Sequence, residues 1–376
     1  MKAIGIMSGT SLDGIDICIV DIIKENEEYK YEIDQFATYP YSKELVEKIL
    51  DASNIYSSNV QKICSLNFEI GYAYKDAIEK MIYEKNIDMK EVEFIAIHGQ
   101  TIWHNPNQMD GYVSSTFQIG EPSVLAYYFN KKVISNFRVM DMVANGSGAP
   151  LIPFVDYLIY RNRKKNIALQ NIGGIGNVCY IKKNATKEDV IAFDTGPGNM
   201  LIDGAMKKLY NLPYDDGGKT AMRGKIDDEL LKQLLNDSYL KLAYPKSTGR
   251  EKYNDAFLNW ILDEMQKKQY QREDIIATIS AYTAYTIVDQ YRRFLGDIDE
   301  IIVSGGGSHN EFILNILKKE LKTKIIVEEN QDAFEAFGFA ILGHMRLLNQ
   351  PSNMKIVTGA KKDVCLGNIT YPPFKE

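Results

Sequence analysis

The residues best placed for chemistry are Asp194-Thr195-Gly196-Pro197-Gly198-Asn199, which follow the apolar run Val190-Ile-Ala-Phe193. An aspartate at the end of an apolar strand lies at a sheet rim, where α/β proteins bind ligands. Thr195, Gly196 and Gly198 add backbone amides, and a helical pattern over 200–210 would aim its positive end at the same space. Such a place holds phosphates and keeps one carboxylate, Asp194, in reach of a reacting group as a general base. Helix capping is the plainer role for Asp194. Capping leaves unexplained a second glycine-rich turn, Asn171-Ile-Gly173-Gly174-Ile-Gly-Asn177, so the balance falls on catalysis.

Three further clusters carry polar chemistry. Ser8-Gly9-Thr10-Ser11-Leu-Asp13-Gly14 interrupts two apolar runs and offers hydroxyls and glycine amides to an anion such as a nucleotide phosphate. Asp13 or Asp16 beside it could hold a metal-bound water, and a simple turn is the competing reading. No Gly-Lys-Ser/Thr follows, so this is not a Walker A loop, and a strand rather than a helix comes next, which excludes the dinucleotide fingerprint. Ser304-Gly305-Gly306-Gly307-Ser-His-Asn310 lets backbone approach a ring or sugar closely, as an adenosine site or as a tight turn.

His98-Gly99-Gln100-Thr101-Ile-Trp103-His104 gathers hydrogen-bonding groups and an indole, which suits a sugar. Its two histidines lack a third ligand at zinc spacing. Gln118-Ile-Gly120-Glu121 and Asn136-Phe-Arg138-Val-Met-Asp141 add polar groups at strand ends. Arg138 could grip a carboxylate in bidentate fashion or pair with Asp141. The loops 215–219 and 247–250 read as lids or solvated turns. Glu335, near a helix start, serves either the helix dipole or function. Neither Gly-x-Ser-x-Gly nor His-Glu-x-x-His occurs.

Period-two patterning on both sides of the 8–14 turn predicts a β-hairpin, with a third strand over 29–38. Helical periodicity covers 43–50 and 60–84, and strands follow at 93–98 and 133–135. The Gly-, Pro- and Asn-rich segment 143–153 reads as a loop or crossover. From residue 166 the hairpin pattern returns, so strand–turn–strand–strand–helix occurs twice. This implies two similarly folded domains facing each other across a cleft. The last third continues as a helix over 274–295, strands at 300–303 and 324–327, and helices over 310–321 and 333–348.

The 376 residues suit two domains, and 45% hydrophobic with 25% charged residues is ordinary for a globular protein with a proper core. A net charge of −6 argues against a nucleic-acid surface. No apolar run reaches membrane-spanning length, and the N-terminus lacks a signal-peptide apolar region, so the expected location is the cytoplasm. Cys18, Cys64, Cys179 and Cys365 are far apart and read as small buried thiols rather than disulfides or a metal site.

Glycine-rich hairpin turns, an Asp-Thr-Gly strand end and a Ser-Gly-Gly-Gly loop, in that order, resemble the actin-like ATPase superfamily. The segments MSGTSLDGID (from Met7), HGQTIWH (from His98), QIGEPS (from Gln118), NIGGIGN (from Asn171), FDTGPGN (from Phe193) and SGGGSHN (from Ser304) resemble one branch, the anhydro-N-acetylmuramic acid kinase family, across nearly the whole chain. The resemblance implies two actin-like (ribonuclease H-like) α/β domains, each with a mixed five-stranded sheet flanked by helices. Residues 1–132 with about 350–376 would form the sugar side, and 133–349 the nucleotide side. It further implies ATP with Mg²⁺, held by Gly9, Thr10, Ser11, Asp13, Gly14, Asp16, Gly173, Gly174, Gly196, Gly198, Gly305–Gly307 and Asn310, with the metal at Asp13 through water. His98, Gly99, Gln100, Thr101, Gly120, Glu121, Asn136, Arg138 and Asp141 would bind the sugar, and Asp194 would activate a water that opens a 1,6-anhydro bridge. A homodimer is compatible with the family. The competing readings are a kinase of an ordinary sugar and an actin-like filament or chaperone-type switch.

Overall fold

A computed structural model of the chain describes residues 1–26, 28–108, 111–328 and 331–374. It divides into two compact units, Met1–Ile159 with Asp332–Glu376, and Tyr160–Gln331. In chain order the strands are β1 (Lys2–Met7), β2 (Ile15–Glu25), β3 (Glu28–Tyr39), β4 (Val92–Ile97), β5 (Gln100–Asn105), β6 (Ser115–Ile119) and β7 (Lys132–Ser135). They continue as β8 (Ile167–Ile172), β9 (Ile175–Ile181), β10 (Ile191–Pro197), β11 (Glu300–Ser304), β12 (Lys324–Val327) and β13 (Asn368–Thr370).

The first unit's main sheet runs β13-β7-β4-β1-β2-β3. The β1–β2–β3 meander is antiparallel, whereas β1–β4 and β4–β7 are parallel. After Lys2, β1 is apolar because both of its faces are covered. Ile4 and Ile6 join Ile70, Tyr74 and Ile78 of the Val60–Lys85 helix in one core. Gly5, on the other face, lies so near the Ala336 carbonyl that a Cβ would collide with it, which lets the Phe334–Leu347 helix settle on the sheet. The expected fifth strand is joined by a sixth, since the short β13 pairs antiparallel with β7. β5 and β6 form a separate hairpin.

The second unit's sheet runs β10-β9-β8-β11-β12, five strands as expected. β8–β9–β10 is an antiparallel meander, and β8–β11 and β11–β12 are parallel. Its strand order and directions therefore match those of β7-β4-β1-β2-β3. The Arg272–Phe294 helix is the centre of its core, with Ile279, Tyr282 and Ile287 buried.

The units divide at 159/160 and 331/332, not at the expected 132/133 and 349/350. β7 belongs with β4 and β13, and the Phe334–Leu347 helix packs on β1, β2 and β4, so 133–159 and 332–349 join the first unit. Cys18 and Cys179 are buried as expected, but Cys365 is half-buried and Cys64 lies exposed on its helix. Among the described residues no helix is long and apolar enough to cross a membrane.

Candidate active site

In the first unit the β1–β2 turn is tied down from below. The Ser8 hydroxyl is buried 2.5 Å from Tyr74 Oη. Gln100 Nε2 donates to the Gly9 carbonyl (3.1 Å), and Gln100 Oε1 accepts from Tyr41 Oη (3.3 Å). Gln100 is fully buried, so the expected sugar ligand is a tether of the turn. Gly14 is buried against the Tyr39 carbonyl, where a side chain has no room. That leaves Thr10, Ser11 and Asp13 exposed at the tip, with Ser11 Oγ donating to Asp13 Oδ1 (2.8 Å).

Five charged groups, Asp13, Asp16, Asp332, Glu335 and Arg138, act on one another beside this turn. Asp16 Oδ1 accepts from Thr38 Oγ1 (2.6 Å). Burial raises its pKa, opposed by that hydroxyl and reinforced by Asp13 and Asp332. Glu335 reaches solvent but is crowded by protein; this crowding raises its pKa against the pull of Arg138, with Asp16 and Asp13 adding to the rise. Burial lowers Arg138 to about 10, opposed by Glu335. The donor chemistry here fits Mg²⁺, which takes one or two carboxylates and draws its other ligands from water and phosphate. Among the described residues no three His, Cys, Asp or Glu side chains converge closely enough to hold a metal ion by themselves.

Beyond β4 lies a cavity of about 180 Å³ whose lining includes Asn67, His98, Gly99, Gly120, Glu121 and Asn136. His98 Nε2 accepts from Arg138 Nε (2.9 Å). Burial, then Arg138, holds the imidazole well below its ordinary pKa, so it is neutral. Arg138 Nη1 donates to the Gly148 carbonyl (2.9 Å), and Nη2 has no protein acceptor among the described residues. Gly99 and Asn136 adopt positive φ (85° and 58°), which turns their backbone at the strand ends. Thr101 Oγ1 accepts from Gln118 Nε2 (3.3 Å), and Thr101, like Gln100 and Arg138, lies outside the cavity lining.

Two expected sugar ligands are occupied by the chain itself. Glu121 Oε1 caps the Pro122–Phe129 helix at Ser123 N (3.1 Å), and Oε2 accepts from Asn67 Nδ2 (3.1 Å). Asp141 is fully buried and does not line the cavity. It accepts from Gly148 N, Asn353 Nδ2 and Thr358 Oγ1, each at 2.9 Å, and so stitches the 146–148 loop to the C-terminal segment. Neither pairs with Arg138.

In the second unit Asp194 lies within β10 rather than at the expected strand end, at the register shift after which pairing with β9 resumes at Gly196 and Pro197. It stands five residues ahead of the Asn199 cap of the Met200–Tyr210 helix, so it does not cap that helix. Its backbone is held at both ends: N donates to the Lys246 carbonyl (3.2 Å) and its carbonyl accepts from Tyr239 Oη (2.8 Å). Oδ2 accepts from Thr248 N (2.9 Å), while Oδ1 has no protein donor among the described residues. Burial raises the carboxyl to about 6, with the Thr248 amide opposing and Glu251 adding. Such a carboxylate is tuned toward proton transfer near neutral pH.

The two glycine turns beside it are stitched together. The Gly173 carbonyl accepts from Asn199 N (2.7 Å), and the Gly174 carbonyl from Gly198 N (3.0 Å) and Met200 N (3.1 Å). The Gly198 amide is therefore spent on the fold and is not free for a phosphate. Gly196, at φ 137°, leaves room for Thr286.

A cavity of about 360 Å³ opens alongside, lined in part by Asn199, Asp203, Tyr214, Gly306, His309 and Asn310. Of the three loop glycines only Gly306 lines it; Gly305 (φ 79°) and Gly307 are glycine because a Cβ would meet Ile172. Asn310 also caps the Glu311–Leu321 helix at Ile313 N (3.2 Å). Burial raises Asp203 to about 6.

Asn67, Asp203, Tyr214, Thr248 and Lys246 were missed as individual residues. Asn67 carried a signal, because asparagine inside a long helix is unfavourable without a job. Asp203 carried none, since acids are ordinary in a helix's first turn.

The fold and these groups can be set beside known proteins. The family model described as "Anhydro-N-acetylmuramic acid kinase" matches residues 1–372. An anhydro-N-acetylmuramic acid kinase of Bacillus cereus (strain G9842) is 45% identical over 384 aligned residues, covering 100% of both chains. One from Bacillus thuringiensis subsp. konkukian (strain 97-27) is 44% identical, again over 100% of both. Among solved structures, component A of (R)-2-hydroxyglutaryl-CoA dehydratase from Acidaminococcus fermentans aligns with a TM-score of 0.48 at 12% identity, covering 91% of this chain and 96% of that one. A family match from end to end, with relatives this similar over their full length, means that the chain belongs to the anhydro-N-acetylmuramic acid kinase family.

Proposed function

We propose that the protein uses ATP and water to convert 1,6-anhydro-N-acetylmuramic acid into N-acetylmuramic acid 6-phosphate and ADP, a step in recycling cell-wall sugar. The observation that carries this is Asp194: a carboxylate at the register shift within β10, raised to about 6, fixed through Oδ2 and with Oδ1 open. Asp194 takes a proton from water as the water oxygen bonds to C1. The C1–O6 bond breaks, its electron pair stays on O6, and O6 bonds to the γ-phosphorus as the bond to the ADP oxygen breaks. Without a base, water attacks too weakly to open the bridge.

The remaining groups bind and orient. Thr10, Ser11 and the Gly9 backbone are placed to meet phosphate oxygens, and the cavity at Asp203, Tyr214 and Gly306 supports a nucleoside site. When bound, Mg²⁺ neutralises charge on the transferring phosphoryl group. Asp13, whose Oδ2 is not engaged, would hold it through water, with Asp16 close by. His98 as a neutral imidazole, Gly99, Gly120 and Asn136 present polar atoms to the sugar, and the open Nη2 of Arg138 suits its lactyl carboxylate.

The test is a product assay with ATP, Mg²⁺ and the anhydro sugar in ¹⁸O-labelled water. A phosphorylated product with one ¹⁸O at C1 is expected. ADP release without that product would reject the reaction and point to another acceptor.

A further inference from the structure

Lys246 occupies an unusual place for a lysine. Its Nζ donates to Gln290 Oε1 (2.5 Å) and to the Tyr239 carbonyl (3.2 Å). The rings of Tyr239, Phe294 and Phe193 surround it, with centroids 4.8, 4.9 and 5.6 Å from Nζ. Gln290 is fully buried, and its Nε2 donates to the Leu240 carbonyl (3.0 Å) and Asp289 Oδ2 (2.8 Å), so the oxygen that receives Lys246 is fixed. Burial lowers the lysine to about 8; Asp289 and Asp237 oppose this and Arg293 adds to it. The ammonium is only partly buried, and its two acceptors and the ring faces offset its lost hydration while holding it in one place.

The backbone of the same residue leads to Asp194. The Lys246 carbonyl receives the Asp194 N–H, and two residues on the Thr248 N–H holds Asp194 Oδ2. Tyr239, which packs on the ammonium, also clamps the Asp194 carbonyl through its hydroxyl. The charged groups that act on Asp194 and Lys246 are Glu251, Asp237, Asp289 and Arg293.

We propose that Lys246 is a positioning residue for the reaction: its ammonium pegs the 246–248 backbone to the Arg272–Phe294 helix and so aims the Asp194 carboxylate. This rests on Asp194 as the base. The alternative is a lysine that only stabilises the fold, with no effect passing through Asp194.

The test compares Lys246→Met, Lys246→Arg, Asp194→Asn and the Asp194→Asn/Lys246→Met double variant, each checked by thermal melting. Lys246→Met is expected to lower kcat about tenfold or more while both KM values stay within about twofold, because aim rather than binding is lost. Its acid limb in kcat/KM should move to higher pH, since the Thr248 amide holds Asp194 down against burial and Glu251. Lys246→Arg should recover part of the rate and part of the limb. In the Asp194→Asn background the Met substitution should cost no further rate.

An additive loss in the double variant, or a lower kcat with an unmoved limb, overturns the proposal and leaves the base assignment standing. An Asp194→Asn enzyme near wild-type rate overturns both. If Met at 246 prevents folding, Gln290→Met removes the fixed oxygen that receives the ammonium and keeps Lys246 itself. A moved limb in that variant supports the proposal, and an unmoved one overturns it.

Discussion

At the scale of single residues the chemistry turns on one carboxylate. Asp194 carries a folded-state pKa of about 6 against an ordinary value of 3.8, chiefly through burial. A proposed base must be ionised to act, so kcat/KM should fall as pH drops below about 6. The stability effect has the opposite sense. The folded state binds the proton more tightly than the unfolded chain, so the contribution of Asp194 is favourable below 3.8 and is lost as pH rises through 3.8 to about 6. At neutral pH the half-buried charge is therefore a cost. Asp194→Asn should lose at least ~100-fold in rate while ATP still binds. It should also gain on the order of 1–2 kcal/mol in stability at pH 7.5, after allowance for solvent screening. Thermal melts at pH 7.5 and pH 5 check the sign: the gap between variant and wild type should narrow at the lower pH. A variant less stable at pH 7.5 would show that the carboxylate's bond to Thr248 outweighs its burial.

At the scale of elements, backbone geometry decides where ligands fit. Gly305 combines φ 79° with ψ 166°, a conformation that side chains rarely adopt, and its open side faces the Ile172 carbonyl, which a Cβ would meet at 2.8 Å. Gly305→Ala should cost about 1–3 kcal/mol of stability. By shifting the loop that carries Gly306, it should weaken ADP binding about tenfold, if the loop moves enough to cost one nucleotide hydrogen bond. Titrating ADP and the sugar separately distinguishes this from general damage, because sugar affinity should hold. Unchanged ADP affinity in a folded variant would remove the 304–310 loop from the nucleotide site.

This element level is also where the sequence was most readable. The two hairpins, the Val60–Lys85 and Met200–Tyr210 helices and the end of β4 before His98 followed from strong periodicity broken by small-residue turns, whereas β10 runs three residues past Asp194 because its pairing with β9 resumes at Gly196 and Pro197. β13 did not, because three residues show no alternation. β5 and β6 did not, because their surroundings are polar and partly exposed. The site was legible as a set of turns, but not as roles within them. Gln100, Glu121 and Asp141 have side chains suited to a ligand, and nothing in their spacing says that the chain's own amides and hydroxyls already occupy them. Lys246 was hidden for the reverse reason, since a lysine in a polar loop reads as solvated.

At the scale of the whole chain, two units share a strand order yet present different surfaces to ligands. The cavity in the first is small, about 180 Å³, and polar through Asn67, Gly120 and Asn136. The one in the second is about 360 Å³ and sits beside glycine backbone and Tyr214. A ligand that binds the native state adds RT ln(1 + [L]/Kd), about 2.7 kcal/mol at a hundredfold excess over Kd, and this protection falls on the backbone that must open to release it. Hydrogen exchange should therefore separate the two substrates. The anhydro sugar alone should slow amides at 97–100, 118–121 and 135–136 in the first unit. ADP alone should slow 196–199, 214–217 and 305–310 in the second. If the sugar instead protected 214–217 and 305–310, the sugar and nucleotide assignments would exchange places. Asp141 provides an internal control. Because it already stitches 146–148 to 353–358 without a ligand, those amides should exchange slowly in the free protein and respond little to the sugar. A large sugar-dependent slowing there would mean that the stitch forms only on binding, and Asp141 would regain a part in substrate recognition.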